Sequence, residues 1–289
     1  MPAPYLALGL AGPHLVELTS SPGLLARWDA LPAAFTVLGL DRVDGSAPAG
    51  QTLDSSAVGA ALAGRTTRGR FLIVASPQRD HPYNLARRVA SLGHLSRGRS
   101  GLLVGVRDAY AAPERATPAR ANDAARAVRA LEQSWPYDSI VGDRETGILV
   151  RSNEIVHVDL GGEFPIAGPL NAPEPPTGAS VIAWYGPGAV SPGPVDLVIG
   201  EGGSVAVTPL GETPPRDAAG VLLRAAPGQT ADELLTAAEE LLAEGFRPVG
   251  AGPLRAALGL AAPPRRAAGR AAFPVPQPNP SLSTPRSRS

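Results

Sequence analysis

His81-Pro82-Tyr83-Asn84-Leu85-Ala86-Arg87-Arg88-Val89-Ala90-Ser91-Leu92-Gly93-His94-Leu95-Ser96-Arg97-Gly98-Arg99-Ser100-Gly101 lies between two apolar runs, Phe71-Leu72-Ile73-Val74-Ala75 and Leu102-Leu103-Val104-Gly105-Val106. Leu85, Val89 and Leu92 recur at spacings of four and three, the period of one helix face. Asn84 is the expected cap of that helix, and Gly98 and Gly101 break the chain behind it. Strand, helix and strand in this order form a βαβ unit. Continuous apolar strands are those buried on both faces, as in a parallel sheet covered by helices.

Outward from this unit the same alternation continues. Tyr5 to Leu10 reads as the first strand, residues 24–31 as a helix and 35–40 as the second strand. Asp54-Ser55-Ser56 caps an Ala-rich helix running through Ala63. Ala121, Ala124, Ala125, Val128 and Leu131 place a long amphipathic helix over residues 121–135. Val181-Ile182-Ala183-Trp184-Tyr185 reads as strand five. Residues 195–199, 205–207 and 220–224 supply the remaining strands. Thr230 with Glu233 forms a capping box, and residues 233–244 carry Leu234, Leu235, Ala238, Leu241 and Leu242 on one face.

Composition narrows the chemistry. The 289 residues carry 26 basic and 26 acidic side chains, so no net charge points to nucleic acid or an acidic membrane. There is no cysteine, which removes disulfides, thiolate metal sites and cysteine nucleophiles. Every basic residue is arginine, so no Schiff-base or phosphate-loop lysine exists. The excess of Ala, Gly, Pro and Arg reads as the codon bias of a GC-rich genome. Four scattered histidines form no metal-ligand pattern. No apolar run has the length of a membrane span, and Met1-Pro2-Ala3-Pro4-Tyr5 lacks the basic start of a signal peptide. These features read as a cytoplasmic protein with a domain over residues 1–260 and a Pro/Arg/Ser-rich disordered tail over 261–289.

The opening stretch also resembles a known family. Pro82 to Arg87, Ala90 to Leu92, His94 to Ser96 and Gly98-Arg99 are similar to the strand 3 to strand 4 region of bacterial luciferase-like flavin-dependent monooxygenases, in the nitrilotriacetate and dibenzothiophene-sulfone monooxygenase branch, with Gly93 where that branch has Asp. Ser134-Trp135, Asp143-Arg144-Glu145-Thr146-Gly147, His157-Val158-Asp159, Gly162-Glu163-Phe164 and Gly168-Pro169-Leu170-Asn171 continue the resemblance into that family's surface hairpin. The resemblance implies an α/β fold, a (β/α)8 TIM barrel of luciferase-like type, compressed or incomplete in its C-terminal half. It implies reduced FMN from a separate flavin reductase, O2 and a small organic substrate, and a homodimer or a heterodimer with a luciferase-like paralogue.

The resemblance assigns candidate cofactor contacts at Asp41 after strand 2, Ser76 after strand 3, and Gly186 and Gly188 after strand 5. It marks His14 as the counterpart of a family histidine. It assigns no catalytic residue and no metal ligand. Several family contacts are altered. Leu102 to Val106 replaces a strand 4 bearing Asn and Thr or Ser, and leucine neither donates nor accepts a hydrogen bond. Glu114 and Pro118 stand where the family has His and Tyr. Gly186-Pro187-Gly188-Ala189 replaces a Gly-Ser-Ser phosphate turn, and Pro187 has no N–H to offer. The alternative reading is therefore a non-catalytic paralogue, either a stabilising subunit of an active partner or a flavin-binding or flavin-free remnant.

Overall fold

The computed structural model describes residues 3–46, 50–187, 194–225, 228–265 and 269–279. Eight parallel strands close into a barrel: β1 (Tyr5–Leu10), β2 (Thr36–Leu38), β3 (Phe71–Ala75), β4 (Ser100–Gly105), β5 (Val181–Tyr185), β6 (Leu197–Ile199), β7 (Val205–Pro209) and β8 (Gly220–Arg224). The strands pair in chain order, and β8 returns to β1 with Tyr5 opposite Gly220. Alternate residues face opposite ways, which gives two apolar layers. Ala7, Val37, Leu72, Val74, Leu103, Ala183 and Leu222 fill the barrel. Leu6, Leu8, Leu38, Ile73, Leu102, Ile182 and Leu223 face the helices. Both sides of each strand are thus buried, which is why the strands read as unbroken apolar runs.

Helices cover the first half: α1 (Gly12–Ser20), α2 (Pro22–Ala30), α3 (Ser55–Arg65), α4 (Pro82–Leu95) and α5 (Pro118–Glu132). The second half is lean. Among the described residues no helix lies between β5 and β8, and β6 meets β7 through the single register pair Ile199↔Val205. The barrel is compressed there, yet its sheet is closed. After β8 come α6 (Ala231–Ala243) and the short α7 (Leu254–Ala257). As expected, Thr230 and Glu233 form a reciprocal cap on α6: the Glu233 N–H donates to Thr230 Oγ1 at 3.1 Å and the Thr230 N–H to Glu233 Oε2 at 2.6 Å.

Two local expectations change. The cap of α4 is His81, whose Nδ1 accepts the Tyr83 N–H at 3.3 Å, and Asn84 is an exposed residue inside the helix. Pro82 explains this, since its fixed φ and missing N–H suit the first helical position. α1 is absent from the sequence reading because Gly12-Pro13 looks like a turn; here Pro13 lies in the first turn of a helix.

Between α5 and β5 the chain makes a long excursion containing a two-stranded hairpin, Asp159–Leu160 with Ile166–Ala167. Residues in the stretches that resemble the family, and their neighbours, hold it in place. Ser134 Oγ accepts the Leu170 N–H at 2.9 Å, and His94 Nε2 donates to Pro173 O at 3.1 Å. His81 packs edge-on against Phe164, with ring centroids 5.9 Å apart. Gly93 lies directly under Pro175: a Cβ there would sit 3.0 Å from Pro175 Cβ and overlap its Cγ. The segment after Leu260, read from the sequence as a tail, runs along this excursion. The Ala272 N–H donates to Ile155 O at 2.8 Å and the Asn279 N–H to Thr146 O at 2.8 Å.

At the N-terminal face, Asp196 gathers Arg129 at 2.6 Å, Arg255 at 2.7 Å and the Ile182 N–H at 2.8 Å. This knot ties α5, β5, the approach to β6 and α7 together where packed helices are lacking. Beside it Glu132 is fully buried and accepts the Ser180 N–H at 3.0 Å; burial pushes its carboxyl up.

The Gly93–Pro175 contact makes a prediction. Gly93→Ala gains helix propensity of about 1 kcal/mol but forces a methyl into a rigid ring, which costs about 1–3 kcal/mol. Urea unfolding should show Gly93→Ala less stable than wild type. In a Pro175→Gly background, which removes both the Cγ and the Cβ it would meet, the same substitution should be stabilising.

Candidate functional site

In α/β barrels the functional groups collect at the C-terminal ends of the strands. Here that face is shaped by the segment following β2. Gly39, at φ +82°, turns the chain across the barrel mouth and Leu40–Arg42 makes a single 3-10 turn. Leu40 drops over Gly9, where a Cβ would lie 2.6 Å from Leu40 Cδ2. Val43 drops over Gly105, where a Cβ would lie 2.6 Å from Val43 Cβ. Leu40 and Val43 are 1% and 5% exposed, so the axis of the barrel is plugged by its own chain.

Polar contacts fasten the plug on every side. Asp41 Oδ1 accepts the Gly12 N–H from the β1 side at 3.0 Å. Arg42 Nε donates to Asp108 at 2.6 Å and its Nη2 to Asp80 at 2.7 Å, reaching the loops after β4 and β3. The Ala109 N–H donates to Arg42 O at 2.7 Å. Asp44 accepts from Ser46 and from Arg224 at the end of β8. The Asp108 side chain has no exposure and that of Arg42 only 16%. In such surroundings an intact ion pair adds little net stability, but losing one partner strands a buried charge.

Beside the plug, over β1, β2 and β3, lies a cleft of about 380 Å³ lined by Gly12, Gly39, Asp41, Ser55, Asp80, Arg79, Arg88 and Tyr110, among others. Asp41 is buried in its wall; burial pushes its carboxyl up, and the Gly12 N–H partly offsets this. One Asp41 oxygen is held by Gly12 and the carboxyl lines the cleft. Ser76 is fully buried beneath the cleft and does not line it; its carbonyl accepts the Arg79 and Asp80 N–H groups, forming the turn that carries both side chains to the rim. Gly186 lies across the plug, packed against Val106, with its carbonyl accepting Trp184 Nε1–H at 3.1 Å. Gly188 is outside the described residues. Asp41, Ser76 and Gly186 are therefore not gathered around one pocket. His14 has a structural place: Nδ1 accepts the Ala11 N–H at 3.1 Å and Nε2 donates to Gln229 O at 2.8 Å. No cluster of metal-ligating side chains occurs among the described residues.

Sequence reasoning did not single out Arg42, Asp80, Asp108 or the Asp44–Arg224 pair. Their partners lie 38 to 180 residues away, so no local pattern joins them. Arg79 and Tyr110 also escaped notice, although Arg79 stands two residues before His81, at the start of the recognised motif.

No protein-family model matches the chain. A pristinamycin IIA synthase subunit of Streptomyces pristinaespiralis is 33% identical over 148 residues, half of each chain. N-acetyl-S-(2-succino)cysteine monooxygenase of Bacillus subtilis is 30% identical over 137 residues, 44% of this chain and 31% of its own. Dibenzothiophene-sulfone monooxygenase of Rhodococcus erythropolis is 33% identical over 116 residues, 36% of this chain and 26% of its own. The matches span half or less of these curated relatives. Among solved structures, a riboflavin lyase with modified FMN and riboflavin superimposes with TM-score 0.54 at 21% identity over 69% of this chain and 54% of that one. Long-chain alkane monooxygenase superimposes with TM-score 0.54 at 17% identity over 69% and 56%. The fold is the luciferase-like α/β barrel. By sequence, the chain is a relative of the luciferase-like flavin-dependent monooxygenases.

That kinship raises the question of whether a flavin suits these residues. Over β4 and β5 it does not. Val43 rests on Gly105, Gly186 rests on Val106, and β4 turns no polar side chain toward the mouth. Over β1 to β3 the residues fit a flavin ring. Gly39 leaves open space beside its backbone, Asp41 offers a carboxyl, and Tyr110 and the arginines supply donors.

Two outcomes follow. Arg42→Met should cost about 3 kcal/mol in thermal or urea unfolding because Asp108 loses its partner, and adding Asp108→Asn should restore part of that loss. For Asp41, a carboxyl pKa raised in the fold means stability is fully present below the unfolded value and is lost as pH rises through the folded one. The stability of Asp41→Asn relative to wild type should therefore increase from about pH 4 upward and then level off, as read from unfolding midpoints across pH.

Proposed function

We propose that the chain is a luciferase-like flavin-dependent oxidoreductase, a monooxygenase that uses reduced FMN and O2 on a small organic substrate at the cleft over β1 to β3. The observation that carries this reading is the cleft itself, with the buried acid Asp41 in its wall at the C-terminal mouth of a barrel related in sequence to monooxygenases. When bound, reduced flavin supplies the electrons that activate O2. The chain's own residues prepare the place. Gly39 lets the ring approach the backbone. Asp41, its ionised form disfavoured by burial, presents its carboxyl to the cleft with one oxygen held by the Gly12 N–H. Leu40 and Val43 close the floor against water. The same reading supplies the flavin from a separate reductase and places the protein in the cytoplasm. Among the described residues no helix is long and apolar enough to cross a membrane.

One observation favours a second role alongside this one. The pristinamycin IIA synthase relative, 33% identical over half of its own length, is named as a subunit. With the mouth closed over β4 and β5, a luciferase-like paralogue as partner would complete what this chain lacks.

Anaerobic titration with FMN and with chemically reduced FMN, followed by fluorescence and absorbance, tests the proposal. Saturable binding with a dissociation constant below about 30 µM is expected, tighter for the reduced form. No binding of either form by the chain alone or with a paralogue would sink the oxidoreductase reading. Binding that appears only in a complex, seen as a larger species in size measurement, would favour the subunit role.

A further inference from the structure

The charged groups around the cleft are unequally engaged. Asp54 caps α3, accepting the Ser56 and Ala57 N–H groups at 2.9 and 3.0 Å. Asp80 is shared between Arg42 at 2.7 Å and Arg88 at 3.0 Å. Arg42 is also held by Asp108. Asp41 has the Gly12 N–H. Arg79 differs: it is exposed, and its guanidinium stands 5.8 Å from the Tyr110 ring centroid, with no carboxylate paired to it among the described residues. Arg88 shares its carboxylate with Arg42 and keeps donors to spare. On the far side of the plug the picture is reversed. Gly186 is packed against Val106 and Pro187 lacks an N–H, so the described part of the turn after β5 presents no cation and few donors.

We propose that Arg79, assisted by Arg88, binds an oxyanion of the cleft's ligand, a phosphate or carboxylate, with Tyr110 as a flat wall beside it. The ligand is then held off the barrel axis, because Leu40 and Val43 occupy the axis. This rests on the reading of the cleft as the flavin site, and it deepens that reading by naming the recognised chemistry. A guanidinium offers paired donors to a planar or tetrahedral oxyanion, and the bond is charge-assisted in a partly enclosed site.

The oxyanion belongs either to FMN or to an acidic substrate, and two titrations separate the sources. In the first, FMN is compared with riboflavin, which has no phosphate, against wild type, Arg79→Ala, Arg79→Lys and the control Arg87→Ala. Arg87 is exposed on α4 and does not line this cleft; it lines the neighbouring groove with Ala60 and Leu95. In the second, benzoate is titrated against the same proteins. Arg79 is exposed, so its replacement leaves the fold intact, which circular dichroism checks. A phosphate source is shown by FMN binding about tenfold more tightly than riboflavin in wild type, with the gap closed in Arg79→Ala and partly kept in Arg79→Lys. A carboxylate source is shown by equal affinities for the two flavins, with benzoate affinity about tenfold lower in Arg79→Ala. Equal flavin affinities and benzoate binding indifferent to Arg79 would overturn the proposal while leaving the flavin reading intact. If neither flavin binds, the flavin reading fails, and the benzoate result alone upholds or overturns the oxyanion site. An equal effect of Arg87→Ala would also overturn it, since that result reports general charge.

Discussion

A closed parallel barrel has to fill its own interior, and at the C-terminal mouth strand side chains alone do not reach. Here the last layer comes from outside the sheet. Leu40 and Val43 descend onto two glycine positions, Gly9 and Gly105, which leave room for them. Their placement depends on Arg42, the residue between them that joins the loops after β3 and β4 through Asp80 and Asp108. The same contacts that seal the axis push the open space sideways, over β1 to β3. Site location and core packing are one problem in this molecule, and the half-buried Arg42 guanidinium bears on both.

The first half of the chain and the second are stabilised by different means. The first is a sheet wrapped in helices with wide apolar contact. The second has short strands and little helical cover, and relies on point contacts such as the Asp196 knot with Arg129 and Arg255. Ion pairs depend on geometry and salt in a way that apolar area does not. His94 and Ser134, in the stretches that resemble the family, and their neighbours His81 and Gly93 dock the excursion between α5 and β5.

Much of the barrel was readable from sequence because both faces of its strands are buried. β1, β3 and β5 are unbroken apolar runs, β8 is apolar up to Arg224, and the bounds of all four match the pattern residue for residue. The cap on α6 was readable because capping is local. α1 was hidden by Gly12-Pro13, and the cap of α4 was displaced by Pro82, cases where one backbone constraint outweighs a side-chain preference. Asp41 was legible as a strand-end acid. Ser76 was legible by place but not by depth, since sequence does not say whether a strand-end hydroxyl looks out or sits under a turn. The clamp was illegible because an ion pair between residues 42 and 108 leaves no trace in either neighbourhood.

The seam between β6 and β7 is where the barrel is least tied by its backbone. Every other junction in the barrel is held by at least three register pairs, and this one by Ile199↔Val205 alone. Ile199 and Val205 are both buried in the interior cluster, so side-chain packing carries at this seam what the ladder carries elsewhere.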